Sequence, residues 1–111
     1  GYWFAYANNG TFKVAKAQGG AWSTIAQWTK SPAILPYDWN VLRVTAVGST
    51  LRFFINGTEV HTATDSALAS GQVGIEMQDG GSGGYPGSGG TAGGGSGTLS
   101  VDAAFLSTVA N

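Results

Sequence analysis

Two tight-turn dipeptides constrain this chain more than any other feature. Gly48-Ser49 and Asn56-Gly57 sit between three stretches of alternating apolar and polar residues, 39–47, 50–55 and 58–64. Both dipeptides supply the positive φ that two-residue hairpin turns require. A turn at Gly48-Ser49 pairs Ala46 with Leu51, Val44 with Phe53 and Leu42 with Ile55, so one face is wholly apolar. The other face receives Thr45 with Arg52 and Arg43 with Phe54. A turn at Asn56-Gly57 sets Phe53 opposite Val60, Arg52 opposite His61 and Phe54 opposite Glu59. The two turns agree that Phe53 faces the core. A slip of one residue would invert every side chain.

The remaining stretches fit the same period. Strands are expected at Tyr2–Ala7, Thr11–Gln18, Ala21–Trp28, Gln72–Met77 and Thr98–Leu106, besides the three above. Asn8-Asn9-Gly10 reads as a three-residue hairpin loop with Gly10 left-handed, pairing Tyr6 with Phe12 and Phe4 with Val14. A turn at Gly19-Gly20 then sets Val14 opposite Ile25. The non-core face collects Trp3 near Ala15, Ala17 near Trp22, Lys13 near Ala26 and Thr11 near Trp28. Gln27 opposite Phe12 fits this register poorly, and a bulge would move Trp28 to the core side. Val73, Ile75 and Met77 alternate inward, as do Leu99, Val101, Ala103 and Phe105, with Gln72, Glu76 and Asp102 outward. Ser31 to Asp38 holds two prolines and is a loop. No stretch carries a 3.6-residue apolar stripe; Ser66 to Ser70 could form one helical turn. The expected fold is all-β, an antiparallel β-sandwich in a single domain over residues 1–111. Its core includes Leu42, Val44, Leu51, Phe53, Val60, Ile75 and Val101.

From Gly80 to Gly97, eleven of eighteen residues are glycine, and most others are Ser, Thr or Ala. Such a segment has little apolar surface to offset its chain entropy, so a flexible Gly/Ser-rich loop is expected over 80–97, either as a tether or as a ligand-binding flap.

Charged residues make up 10 % of the chain and the net charge is −1, against about 25 % charged in an average domain. This balance excludes a basic nucleic-acid binder. With no cysteine, disulfides and thiol chemistry are excluded. No apolar run reaches the roughly 20 residues of a membrane span, so no membrane insertion is expected. No signal peptide is visible, and the opening Gly1-Tyr2-Trp3 already reads as strand, as in a processed, excised or engineered chain. Low charge with 42 % hydrophobic residues points to an extracellular or cell-surface setting, or to an assembled protein.

Trp39-Asn40, the strand to Gly48, Leu51 to Gly57 with Phe54-Ile55-Asn56-Gly57, then Val60, Asp65, Gly71-Gln72-Val73-Gly74-Ile75 and a last strand near Val101 and Phe105 follow one another in an order that resembles the C-terminal part of concanavalin A-like jelly-roll domains. Laminin G-like and 3-keto-disaccharide hydrolase-type domains are the nearest echoes. The resemblance covers about residues 37 to 106 and implies a jelly roll. Relatives carry further strands ahead of this stretch. The resemblance thus implies a shortened variant, an excised piece or a sandwich completed by another chain.

The glucanases of that fold carry Glu-x-Asp-x-x-Glu on one strand, and this chain lacks that motif. Glu59, Glu76, Asp65, Asp79 and Asp102 are scattered, as solvated strand faces and turn caps are. His61 is the only histidine, which excludes histidine-cluster metal sites. Asp38, Asp65 and Asp79 form no known calcium loop. No catalytic residue, metal or cofactor is expected, and the chain reads as a non-enzyme.

Two surfaces remain as candidates for ligand binding. Trp3, Trp22 and Trp28, with Lys13, lie on the non-core face of the first three strands. Flat indoles there can stack on sugar rings, form a protein interface or lie under a covering layer. Arg43, Arg52, Phe54, Glu59 and His61 share the outer face of the meander. They suit either an anionic or hydroxyl-rich ligand or a cross-strand charge lattice. Asn9-Gly10-Thr11 and Asn56-Gly57-Thr58 are glycosylation sequons that coincide with turns wanting Asn-Gly. The expected role is an extracellular glycan- or surface-binding module, with polysaccharide or glycan as partner. The alternative is a structural subunit of an extracellular fibre or multidomain surface protein, bound to neighbouring chains as a homo-oligomer or polymer.

Overall fold

A computed structural model describes residues 1–18, 20–65, 72–79, 86–93 and 98–106. All elements among them are strands: β1 Tyr2–Tyr6, β2 Thr11–Gln18, β3 Ala21–Lys30, β4 Trp39–Val47, β5 Thr50–Ile55, β6 Thr58–Thr64, β7 Gln72–Asp79, β8 Pro86–Gly93 and β9 Thr98–Leu106. They form a five-stranded sheet in the order β3-β2-β1-β7-β8 and a four-stranded sheet in the order β6-β5-β4-β9. The protein is an all-β sandwich. The helical turn considered at 66–70 lies outside the described residues.

Each sheet hides one face. Tyr2, Phe4, Tyr6, Phe12, Val14, Ile75 and Met77 from the first sheet meet Leu42, Val44, Ala46, Leu51, Phe53 and Ile55 from the second. Phe53 is completely buried and stands edge-on to Phe4, ring centroids 5.2 Å apart. Val60 and Val101 are only partly buried, at the margin of this core.

The meander has the turns that set its register. Asn56 and Gly57 have φ of 51° and 82°, the type I′ pattern. Gly48 has φ 59° while Ser49 is not in the positive region, the II′ pattern. The β4–β5 pairs Leu42–Ile55, Val44–Phe53 and Ala46–Leu51 are as expected, and so are Tyr6–Phe12 and Phe4–Val14 across the first hairpin.

Four expectations need correction. First, β1 pairs with β7 in parallel, Tyr2 beside Ile75 and Phe4 beside Met77, so the sandwich is not wholly antiparallel. Second, β6 bulges between the partners of Phe53 and Phe54. Phe53 therefore faces His61 rather than Val60, and Arg52 faces Thr62 rather than His61. Third, β3 carries two extra residues against β2: Val14 faces Ala26 rather than Ile25, and Phe12 faces Thr29 rather than Gln27. Thr11 pairs with Lys30, not Trp28. One bulge alone would turn Trp28 inward; two return it to the outer face. Fourth, residues 86–93, expected within a loop, form β8 and pair with β7. The flanking 80–85 and 94–97 lie outside the described residues.

A polar network ties the 31–38 loop to the meander. Buried Asn40 receives the Leu35 amide at 2.8 Å and donates to the Leu35 carbonyl at 2.8 Å. Asn56 donates to the Asn40 side-chain oxygen at 2.9 Å and to the Ala33 carbonyl at 2.8 Å, and accepts the Val41 amide at 2.9 Å.

Candidate functional site

The outer face of the five-stranded sheet holds a groove of about 370 Å³, lined by Trp3, Lys13, Ala15, Thr24, Glu76 and Gln78. Four strands build it. Ala15 of β2 faces Thr24 of β3 on one side and Trp3 of β1 on the other. Trp3 in turn lies beside Glu76 of β7, and Glu76 beside Gly89 of β8. Ala15 forms the buried floor, and its short side chain leaves room above it. Opposite Glu76 the β8 position is a glycine, which adds no wall.

Trp3 is half-buried and fixed in place. Its indole N–H donates to the Gln78 side-chain oxygen at 2.9 Å. Trp28 meets it edge-on, centroids 6.4 Å apart and ring planes at 89°. The Lys13 ammonium sits 5.9 Å from the Trp3 ring centroid, within reach of a cation–π attraction. Trp28 keeps 36 % of its surface exposed, so the two indoles form an open right-angled corner. Around it stand an ammonium, a carboxylate, a hydroxyl and an amide. Such a set can donate to and accept from a hydroxyl-rich ligand while the rings cover its apolar face.

The expected residues therefore separate. Trp3, Lys13 and Trp28 come together at this groove. Trp22 lies opposite Ala17 on the same sheet, and its side chain is outside the described residues. Arg43, Arg52, Phe54 and Glu59 lie on the other sheet's outer face, where ion pairs consume the charges: Arg43 with Asp102 at 3.3 Å and Arg52 with Glu59 at 3.0 Å. Arg43, Asp102, Arg52 and Glu59 form the cross-strand lattice, with Phe54 between them on the same face. His61 leaves that face altogether, because the β6 bulge turns it toward Phe53, ring centroids 5.9 Å apart. Sequence reasoning missed Thr24, Glu76 and Gln78 as neighbours of Trp3. Glu76 was legible as outward-facing, but nothing local announced the parallel β1–β7 pairing.

Among the described residues, no group of three or more His, Asp or Glu side chains could hold a metal. Asp38 accepts the Trp39 amide at 2.7 Å. Asp65 is buried and accepts the Tyr2 hydroxyl at 2.8 Å and the Lys16 ammonium at 2.9 Å. The two aspartates thus serve a turn and an inter-sheet bridge. Burial first, then the hydrogen bond and charge of Asp65, push the Tyr2 phenol well above the ordinary tyrosine range. No family model, no curated protein and no solved structure matches the chain.

Proposed function

We propose that this chain is an extracellular, non-enzymatic glycan-binding module whose ligand lies in the Trp3 groove. One observation carries the proposal. The Trp3 ring is clamped by Gln78 and Trp28 while a mixed polar rim of Lys13, Thr24 and Glu76 surrounds it. A clamped ring loses little freedom on binding, which favours stacking. The rim has one ammonium and one carboxylate, which suits a neutral sugar that donates and accepts hydrogen bonds better than a strongly anionic one. The sandwich is of the fold class that a concanavalin A-like resemblance implies, but the reading rests on the groove and not on that resemblance. The low overall charge supports the extracellular setting.

The test is native electrophoresis through gels cast with neutral β-glucan, xylan, mannan or polyuronate. Retardation is expected in at least one neutral polymer, and Trp28→Ala and Glu76→Ala should each abolish it with folding intact by circular dichroism. Free migration of the wild type in every gel, or variants retarded like the wild type, would refute the reading.

A further inference from the structure

Two tripeptides of this chain are identical. Asn9-Gly10-Thr11 closes the β1–β2 hairpin and Asn56-Gly57-Thr58 closes the β5–β6 hairpin. An asparagine followed by glycine has a reaction of its own. The glycine nitrogen gives its proton to water and attacks the asparagine side-chain carbonyl carbon. A five-membered succinimide closes, and the side-chain nitrogen takes up a proton and leaves as ammonia. Water then opens the ring to aspartate or isoaspartate. Glycine shields that nitrogen least, because it has no Cβ. Both asparagines are exposed, so neither sequence nor exposure separates them. Their bonding does.

At Asn9 each charge that develops in this reaction has a counterpart. The nucleophile is the Gly10 amide without its proton, an anion shared by resonance with the Asn9 main-chain oxygen. The Lys30 ammonium sits on that oxygen at 2.9 Å, where it makes the anion easier to form. Attack then places negative charge on Asn9 Oδ1. That oxygen already accepts the Thr11 amide at 3.1 Å and the Thr11 hydroxyl at 2.5 Å, two donors arranged as an oxyanion hole would be. The departing nitrogen has no acceptor among the described residues to hold it. One contact opposes the reaction. The Gly10 N–H donates to the Ala7 carbonyl at 3.0 Å and must let go first. It is a single neutral bond, weaker than the charge-assisted contact of Lys30.

At Asn56 the same chemistry is blocked. Its Nδ2 donates to the Ala33 carbonyl at 2.8 Å and to Oδ1 of buried Asn40 at 2.9 Å. Its Oδ1 is fixed by the Val41 amide at 2.9 Å. Ring closure has to pull the side chain out of these three bonds, and departing ammonia leaves Asn40 short of a donor.

We propose that Asn9 is a self-modifying site, converted to aspartate and isoaspartate with Lys30 and Thr11 as the activating groups, while the buried network holds Asn56 unreactive. Water is consumed, ammonia is released and nothing is oxidised or reduced. The product carries one more negative charge, formed in the loop that Lys30 anchors, and isoaspartate adds a carbon to the main chain between β1 and β2. None of this depends on the glycan reading.

Ageing of the folded protein in mildly alkaline buffer, followed by isoelectric focusing and peptide mapping, tests the proposal. Acidic species should accumulate with the change confined to Asn9. In urea the two tripeptides lose their surroundings and should react at similar rates. Lys30→Met and Thr11→Val should each slow conversion of Asn9 by about three- to tenfold, less than the loss of a donor from a closed enzyme site, since this loop is open to water. Lys30→Arg keeps a cation and should keep the rate, and Asn9→Gln should give no acidic species. A variant that had unfolded would show itself by conversion at Asn56. Reaction at Asn56 as fast as at Asn9 in the folded protein overturns the proposal. So does an Asn9 that stays intact while both sites react in urea, or an Asn9 rate untouched by both Lys30→Met and Thr11→Val.

Discussion

Removing one oxygen from Tyr2 tests the bridge between the sheets. Tyr2 is buried, its ring 6.2 Å from that of Phe53, and its hydroxyl donates to Asp65 at the end of β6. Tyr2→Phe keeps the ring packing and deletes that bond. A hydrogen bond to a charged group contributes about 1.5–3 kcal/mol, and a neutral one about 0.5–1.5. Asp65 retains Lys16 at 2.9 Å, so its carboxylate is not left alone and the loss falls between those ranges, at about 1–2 kcal/mol. For a domain near this size that lowers the melting temperature by roughly 4–10 °C. The pH dependence is sharper evidence. The folded phenol has its pKa raised above that of the unfolded chain. Its stabilising contribution is therefore whole below the ordinary tyrosine pKa of about 10 and is lost progressively as pH rises beyond it, because only the unfolded chain releases the proton. Tyr2→Phe lacks this loss. Thermal melts of both proteins, taken by near-ultraviolet circular dichroism from pH 7 to pH 11, should show the gap wide at pH 7 and closing above pH 10. A gap that is constant over that range would refute the argument, since the Tyr2 phenol would then titrate alike in folded and unfolded chains.

Other expected outcomes follow from the core and the turn. Phe53→Ala should destabilise by about 3–5 kcal/mol in urea titration, from lost transfer energy plus the cavity left beside Phe4; a loss under about 1 kcal/mol would mean that Phe53 is not central. Asn56→Gly deletes the bonds to Ala33, Asn40 and Val41 and relieves the left-handed backbone, whereas Asn56→Ala deletes the same bonds but keeps a Cβ at φ of 51° without the polar side chain that lets asparagine tolerate it. Alanine should thus be the worse of the two by about 1–2 kcal/mol, and equal losses would show that the turn carries no backbone strain. Lys13→Met removes the ammonium above Trp3 and should weaken glycan retention by several-fold while leaving the melting temperature within a few degrees, because methionine keeps the apolar stem against the ring and a partly solvated charge contributes little to stability.

The division between what was legible in the sequence and what was not follows from locality. Gly48-Ser49 and Asn56-Gly57 each fix a register within a few residues, so the β4–β5 pairs could be set from turn geometry and the apolar face alone. Bulges break that logic, since an extra residue changes which side faces inward without altering the turn. Val60 and His61 illustrate it: both orders leave Glu59 opposite Phe54, yet the bulge sets His61 against Phe53 while Val60 stays at the margin of the core. β8 was hidden for another reason. Its residues carry no alternation and little β propensity, so pairing with β7 is a backbone property that glycine permits and does not advertise.

The groove depends on the least legible event of all. Trp3 sits in β1 and Glu76 and Gln78 in β7, and a parallel pair has no connecting turn to announce it. What the sequence did contain was parity. Trp3 and Ala15 read as outward from the register of the first hairpin and Glu76 from alternation along its own stretch, so the parallel contact only had to bring two outward faces side by side. Trp3, Lys13, Ala15 and Glu76 could each be placed on an outer face, whereas Gln78 lay beyond the strand expected to end at Met77. The approach of β7 to β1 was not legible, because it closes a loop of dozens of residues, whose entropy the buried core of Phe4, Ile75 and Met77 must offset. The groove is therefore coupled to that core. Substitutions that loosen β1 against β7 should weaken ligand retention before they unfold the sandwich, even where they touch no groove residue.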